Sequence, residues 1–432
     1  MTENAHSSDR RIVLGCIADD VTGATDLAIN LVQGGMRVVQ LLGLPTESEL
    51  ADVDADAVVI ALKSRSIPAA DAISVSLQAV AVLRAVGVDR FFFKYCSTFD
   101  STAQGNIGPV AVALMKAIGT RQTIFCPAFP RNGRTVYQGH LFVHDRLLSE
   151  SGMESHPLNP MTDSNLVRFL AVQAKQEVGL LSSADVAAAN VPQKLASLLD
   201  DGQQLVVTDA CHDDHLRVLA DAAVDMPLVT GGSGIARFLP DAYRSSAVLA
   251  SDPEIPELPR VDGRSLIVSG SCSSATNSQV EWMRSRCPAW EIDVDRILSD
   301  SESALAAAVE WVKATDPSSP VLVYSTAAPD KVATLQEKHG VNAVAEAIED
   351  HLASITASLV EDAGIRKIVL AGGETSGAVV NRLGVKTLRI GPEICPGVPW
   401  TESIGDRRLA LALKSGNFGE EDFFAHALEM IT

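Results

Sequence analysis

No stretch of eighteen or more uncharged apolar residues occurs in the 432-residue chain, which excludes a membrane-spanning helix. The opening run Met1 to Arg11 (MTENAHSSDRR) lacks the apolar core and cleavage site of a secretory signal and reads as a flexible tail, 1–11. Cysteine is sparse: seven residues, at 16, 96, 126, 211, 272, 287 and 395, with no C-x-x-C pair. An odd, scattered set excludes a disulfide framework and a zinc ribbon, and fits reduced thiols in a cytoplasm. Basic residues are in deficit, 35 Lys and Arg against 54 Asp and Glu, for a net charge of −19. Counterion release needs a basic face, so nucleic acid is not an expected partner. Neither the Walker pattern GxxxxGK[ST] nor a clean GxGxxG followed by a ribose-binding acid is present. No fixed-period repeat stands out either.

What is present is the composition of a folded protein, 47% hydrophobic and 21% charged. The length allows two or three domains. Short apolar runs of strand length occur at 12–18, 38–43, 57–63, 91–95, 123–128 and 204–210, with helical patterns such as 74–87 and 107–119 between them. A stretch from Tyr243 to Arg264, carrying Pro253, Pro256 and Pro259, reads as a crossing between domains. The alternation then resumes with 264–270, 319–326 and 366–373, and a long helical pattern fills 341–363. Strands alternating with helices make βαβ units. The expectation is an α/β protein of two domains, each a largely parallel sheet flanked by helices: 12–245, a linker 246–263, and 264–432.

Ligands of open parallel sheets bind beyond the carboxyl ends of the strands, so the residues after each apolar run matter most. The first run ends in Asp19-Asp20-Val21-Thr22-Gly23-Ala24. Two carboxylates with a hydroxyl and a glycine suit a sugar hydroxyl or a base near magnesium; helix capping by Asp20 or Thr22 is the plainer use. The 91–95 run leads into Lys94, Ser97, Thr98, Asp100 and Ser101, followed by Gly105-Asn106-Ile107-Gly108-Pro109. A cation with short polar groups fits a small polyol acid, although Lys94 could equally snorkel. Arg131 and Arg134 flank Asn132-Gly133 on a proline-bounded loop that suits bidentate capture of a carboxylate, or is an ordinary surface turn. The polar run His156 to Asn165 precedes a helix, and capping of that helix by Thr162 or Asp163 is the plainer use of its polar groups. An acidic chain needs such a local pocket of cations and N–H groups to hold an anion.

The second half has different turns: Ser269-Gly270-Ser271-Cys272-Ser273-Ser274, Gly372-Gly373-Glu374-Thr375-Ser376-Gly377, and Lys414-Ser415-Gly416-Asn417-Phe418-Gly419. Small residues between strand and helix leave backbone N–H groups open to a phosphate, which the positive helix end favours. Three such turns in one domain point to a nucleotide. Cys211-His212-Asp213-Asp214-His215 looks like a metal cluster, but consecutive side chains cannot converge on one ion, and it reads as a solvated helix start. Gly231-Gly232-Ser233-Gly234 reads as a turn that could also touch substrate.

Taken together the motifs resemble the four-carbon acid sugar kinase family. The resemblance is carried by IADDVTGATD (17–26), the Lys-x-x-Ser-Thr-x-Asp-Ser-Thr run at 94–102 with GNIGP, CPAFPRNGRTVYQGHLFV (126–143), HPLNPMTDSN (156–165), the Ser-Gly-Ser turn and AGGETSGA (371–378). The longer 94–102 run is similar to the family's branch acting on 3-oxo-tetronates, with threonate and erythronate kinases as siblings. The resemblance implies ATP-dependent phosphorylation of the acid sugar's O4 hydroxyl, with Mg2+. The N-terminal domain would hold the sugar and the C-terminal domain the ATP. It places the nucleotide at Ser271, Gly373, Glu374, Thr375, Ser376 and Gly416. The substrate-side expectations are Thr22, Lys94, Ser97, Thr98, Asp100, Arg134 and Asp163, with Asp19 or Asp20 as base. Metal ligands are not identified. A nicotinamide-dependent dehydrogenase of the same acids and a non-catalytic acid-sugar sensor are the competing readings, the first weakened by the missing dinucleotide fingerprint. A homo-oligomer is expected from the habit of metabolic enzymes.

Overall fold

The computed structural model describes residues 11–431 apart from 52, 156–158, 251, 254–255, 328–333, 336 and 406. The chain divides into two compact units, 1–255 and 256–432.

In the first unit, strands β1 (Leu14–Ala18), β2 (Val38–Leu42), β3 (Ala57–Ala61), β4 (Phe91–Lys94) and β5 (Thr123–Cys126) alternate with helices Val21–Gln33, Ala69–Ala85 and Ile107–Ile118. A small antiparallel sheet follows, β6 (Arg134–Tyr137), β7 (His140–Val143) and β8 (Arg146–Leu147). Strands β9 (Val178–Leu181), β10 (Leu205–Thr208) and β11 (Leu228–Gly231) complete the main sheet, whose order is β2-β3-β1-β4-β11-β5-β10-β9. Every pairing in it is parallel. Helices cover both faces of a parallel sheet, which is why these strands are continuously apolar and almost wholly buried. Helix Val21–Gln33 starts at Asp20, which is extended and accepts from Gly23 N at 3.0 Å. It packs Ala24, Leu27, Ala28 and Leu31 inward and ends before Gly35, whose φ of +84° suits glycine.

The run 126–137, read from its sequence as a proline-bounded loop, is more ordered than its composition implies. A 3₁₀ turn over Pro130–Asn132 ends at Gly133, φ +70°, and Arg134 opens strand β6. Prolines and glycine set the turn, but only pairing with β7 makes the following residues a strand.

In the second unit β12 (Arg264–Ser269), β13 (Ala289–Glu291), β14 (Val321–Tyr324), β15 (Ile365–Ala371), β16 (Thr387–Cys395), β17 (Val398–Ser403) and β18 (Ala410–Lys414) form the order β13-β14-β12-β15-β18-β17-β16. The pairs from β13 to β18 are parallel, and β18-β17-β16 are antiparallel. The core gathers Ile267, Leu322, Val369, Ala412, Phe424 and Trp400, whose indole N–H donates to Ala427 O at 2.9 Å. Burying that indole requires such a partner.

Candidate active site

In the first unit the chain leaves β1, builds β2 and β3 on one side, then crosses to β4 on the other. The switch point of the sheet is therefore between β1 and β4, the place beyond the carboxyl ends where such sheets bind ligands. Ala18 pairs with Lys94, and Lys94 with Gly231, so the residues after β1, β4 and β11 emerge side by side. Arg65, four residues past β3, reaches into this place. Its Nε and Nη2 donate to the two oxygens of Asp19 at 2.9 and 2.8 Å, Nη2 also to Asp20 at 2.6 Å, and Nη1 to Asp100 at 3.1 Å. Burial works against the Arg65 charge, but the hydrogen bond and charge of Asp19 and the charge of Asp20 prevail and raise its pKa. Burial likewise pushes the Asp19 carboxyl up, with Arg65 opposing. Asn106 holds the Arg65 loop, its amide donating to the carbonyls of Ser64, Arg65 and Ile67 at 2.7, 3.2 and 2.9 Å. Asn159 donates to the other oxygen of Asp100 at 3.2 Å.

The two leading acids therefore differ. Both oxygens of Asp19 are taken by Arg65, and the side chain is 7% exposed. Asp20 uses one oxygen for Arg65 and the Gly23 N–H; its Oδ2 has no hydrogen-bond partner among the described residues, and the side chain is 28% exposed.

Lys94 is buried, and its Nζ makes one hydrogen bond, to Tyr95 O at 2.7 Å. Two of its three N–H groups stay unused among the described residues. Asp26, one and a half turns beyond Asp20 on the same helix, accepts from Ser233 Oγ at 2.5 Å. Burial raises its carboxyl, while the charge of Lys94, the Ser233 bond and the charge of Arg134 pull the other way. The turn at Gly231 to Gly234 is thus drawn to the β1 helix. Arg134 donates through Nη1 to Asn132 O, and its buried Nε has no partner among the described residues. The β4 loop is strained where it enters the site, with Phe99 at φ +60° and Asp100 at φ +30°. Aromatic packing on Tyr95 and Phe169, at 5.3 and 5.9 Å between centroids, holds Phe99 there. Thr98 is buried and bonds Cys96 Sγ at 3.0 Å; Ser97 is half-buried and Thr22 exposed.

Asp163 stands apart from this cluster. Its carboxylate receives Arg168 at 2.8 and 2.7 Å and Asn165 N at 3.0 Å, and the Arg168 bond holds its pKa low. The helix cap there is Asn165, which accepts from Arg168 N. His156 to Leu158 of the same run lie outside the described residues. At the histidine pair, helix Asp213–Ala222 begins just after His212, and Cys211 N donates to His215 Nδ1 at 3.3 Å.

Sequence reasoning missed Arg65 and Asp26 as site residues, and named Ser233 only within a turn that could touch substrate. The strand-end rule that found Lys94 would have found Arg65, since it follows β3 as Lys94 ends β4. Asp26 had no such signal, because only the register of its helix against the sheet decides which way it faces.

The second unit has its own switch point, between β12 and β15. Ser269 pairs with Ala371, and Ala371 with Lys414, so the three small-residue turns adjoin. The helix Ser274–Arg284 is capped internally, Ser273 accepting from Thr276 N, so its first turn is partly satisfied. The helix Gly373–Arg382 is not: its cap residue Gly372, φ +122°, offers no side chain, and Cβ atoms at Gly373 or Gly377 would meet nothing within 4 Å. Its bare first turn presents unfilled N–H groups, an anion site in form. Glu374 is exposed there, while Thr375 and Ser376 are buried, with Ser376 Oγ lacking a partner among the described residues. Ser325 Oγ, just past β14, is likewise buried and unpaired. Gly416 has no room for a side chain, since a Cβ would sit 2.5 Å from Ser271 Oγ and 3.0 Å from Ser273 Oγ.

Comparison with known proteins agrees with this division. The family model for a sugar-binding N-terminal domain matches residues 14–239, and that for a nucleotide-binding C-terminal domain matches 266–424. A 3-oxo-tetronate kinase of Burkholderia multivorans is 53% identical over 427 residues, spanning 98% of this chain and 99% of that one. One from Cupriavidus necator is 50% identical over 425 residues, spanning 98% of each. Among solved structures, a Haemophilus influenzae protein is 44% identical, with a TM-score of 0.88 over 97% of this chain and 100% of its own. On these matches the chain belongs to the four-carbon acid sugar kinase family, in which a sugar-binding N-terminal domain precedes a nucleotide-binding C-terminal one.

Proposed function

We propose that the protein transfers the γ-phosphoryl group of ATP to the O4 hydroxyl of 3-oxo-tetronate, giving 3-oxo-tetronate 4-phosphate and ADP. The observation that carries the reading is the side-chain cluster at the β1–β4 switch point: an open carboxylate oxygen on Asp20 beside a buried, under-used lysine. Relatives named 3-oxo-tetronate kinase, about half identical over nearly the whole length, supply the substrate. Lys94 and the unpaired Nε of Arg134 face the acid's carboxylate, with Ser97, Thr98 and the Arg65-bound Asp100 nearby for its hydroxyls. Asp20 Oδ2 takes the O4 proton as the O4–Pγ bond forms, while the bond from Pγ to the β,γ-bridging oxygen breaks and its electrons leave on ADP. Asp19 keeps Arg65 in place, so it acts as a positioning residue. The first-turn N–H groups of Gly373–Arg382, with Ser271 and Gly416 alongside, receive the phosphates.

Magnesium accompanies ATP in such transfers and neutralises its phosphate charge. No group of three or more His, Cys, Asp or Glu among the described residues is arranged to hold a metal, and Asp19, Asp20 and Asp100 already share Arg65. The residues thus do not form a ready-made magnesium cage. The seven free thiols and the need for ATP fit a cytoplasmic enzyme.

The test is ADP release, measured by a coupled assay, from ATP with 3-oxo-tetronates, threonates and erythronates of both hands. The expected outcome is turnover fastest on a 3-oxo-tetronate. Silence with every acid would remove the kinase reading, and faster turnover on a threonate would move the chain to a sibling specificity.

Gly23 supplies a sharper check. Alanine in place of a helical glycine ordinarily stabilises by about 1 kcal/mol. Here the new Cβ would fall 2.2 Å from Asp20 Oδ1 and 3.1 Å from Lys94 Nζ. Gly23→Ala is expected to lower kcat/KM at least tenfold while the melting temperature changes little. Unchanged kinetics would mean that the Asp20–Lys94 spacing is irrelevant to catalysis.

A further inference from the structure

Strand β18 ends in a lysine that the second unit buries. Lys414 is 1% exposed, and its Nζ donates to Thr276 Oγ1, Ser415 O and Gly416 O, each at 3.1 Å. All three acceptors are neutral, and no carboxylate among the described residues forms an ion pair with it. The Phe423 ring lies beside it, 5.8 Å from Nζ to centroid. Burying a cation without a counter-ion is unfavourable, and hydrogen bonds to neutral oxygens offset that only in part. Surface lysines carry no such cost, so a reason for this one must lie in its place.

That place is the junction of the three small-residue turns. Lys414 O accepts from Gly372 N at 2.8 Å, which fixes the start of the uncapped helix Gly373–Arg382. Gly416 O, besides Lys414 Nζ, accepts from Ser273 Oγ at 2.6 Å and Thr276 Oγ1 at 2.8 Å. One residue thus ties together the turns after β12, β15 and β18. Because its three N–H donors are spent inside the protein, the charge acts on a ligand through the low-dielectric interior and not by direct contact.

We infer that Lys414 is a positioning residue whose absent counter-charge is the phosphate of a bound nucleotide, so that nucleotide binding is coupled to protonation of this lysine. The inference rests on the kinase reading above. Burial, with Cys395 opposing, lowers the lysine to about 8 in the free protein. The titratable group acting on it is the Cys395 thiol of β16, which burial pushes up to about 11 and which lies in the field of Glu393 and Glu420. Thr276, Ser415 and Phe423, its other neighbours, do not titrate in this range. An anion nearby favours the ammonium form and raises its pKa. Binding therefore takes up a proton where free Lys414 is neutral and bound Lys414 is charged, above pH 8. The terminal phosphate of ADP, ionising near pH 6, is already fully charged there.

The experiment is isothermal titration of the full chain with ADP, at pH 7 and pH 9, in buffers of different ionisation enthalpy. Uptake approaching one proton per ADP is expected at pH 9 and far less at pH 7, with affinity falling up to tenfold per pH unit above 8. Lys414→Arg, which stays charged throughout, is expected to bind ADP at pH 9 with no such uptake. Lys414→Met is expected to weaken ADP at pH 7 by tenfold or more while the circular dichroism spectrum is kept. ADP binding at pH 9 without proton uptake, or equal uptake in Lys414→Arg, would overturn the coupling and leave the kinase reading standing. Failure of ADP to bind at any pH would overturn both.

Discussion

Replacing Asp20 by asparagine is expected to lower kcat by roughly 10²- to 10⁴-fold, the range for removal of a general base. The substitution is informative because asparagine is as good an N-cap as aspartate, so helix Val21–Gln33 keeps its start. What asparagine lacks is the basic oxygen that Asp20 leaves unpaired. The ADP dissociation constant and the melting temperature are expected to move little, since asparagine keeps the helix cap and the proposed phosphate site lies on turns of the second unit. Steady-state kinetics on the acid sugar, with ADP binding measured beside them, separate these effects. Turnover within a few-fold of the parent would eliminate Asp20 as base and turn attention to Asp26, whose carboxyl is raised by burial.

Arg65→Ala should show the largest loss of stability. The guanidinium serves three carboxylates at once, with its side chain 20% exposed and Asp19 and Asp100 at 7 and 12%. Removing one partner of a buried ion pair typically costs about 3–5 kcal/mol, because the other charge remains buried and unpaired. Here Asp19 and Asp20 would also repel each other. Burial already holds the Asp19 carboxyl above its ordinary value against the pull of Arg65, and without Arg65 it stands higher still, so the variant binds an extra proton when folded and loses stability as the pH rises. The deficit against the parent is expected to be greatest near pH 7 to 8 and to shrink toward pH 4, as Asp19 protonates. Thermal melts across that range decide it. A deficit independent of pH would mean that Arg65 matters through packing, and no deficit would mean that the cluster carries little energy.

Much of this was open to reading residue by residue. Buried parallel strands are continuously apolar, so IVLGCIA and AVVIALK announced β1 and β3 and, by alternation with helical stretches, the α/β class. Lys94 and the acids after β1 were visible because strand ends carry the chemistry of such folds. The antiparallel close of the second sheet, β16 to β18, was not, since nothing local distinguishes an antiparallel partner from a parallel one. Nor was the small sheet bearing Arg134, whose strands are only partly buried and show no strong alternation.

By itself the sequence determined which turns are polar or glycine-rich, where helices such as Val21–Gln33 and Ile107–Ile118 begin, and that a phosphate-sized gap of small residues recurs in the second half. Strand order was decided only in three dimensions. Residues 46 and 35 positions from Arg65 meet at one guanidinium because β1 lies between β3 and β4. Lys414 reaches Thr276, 138 residues away, because β18 lies beside β15 and β15 beside β12. Side-chain periodicity is a local property of a few residues, whereas the neighbour of a strand is fixed by how all the helices cover the sheet. That is why the parts of both sites could be read along the chain and their assembly could not.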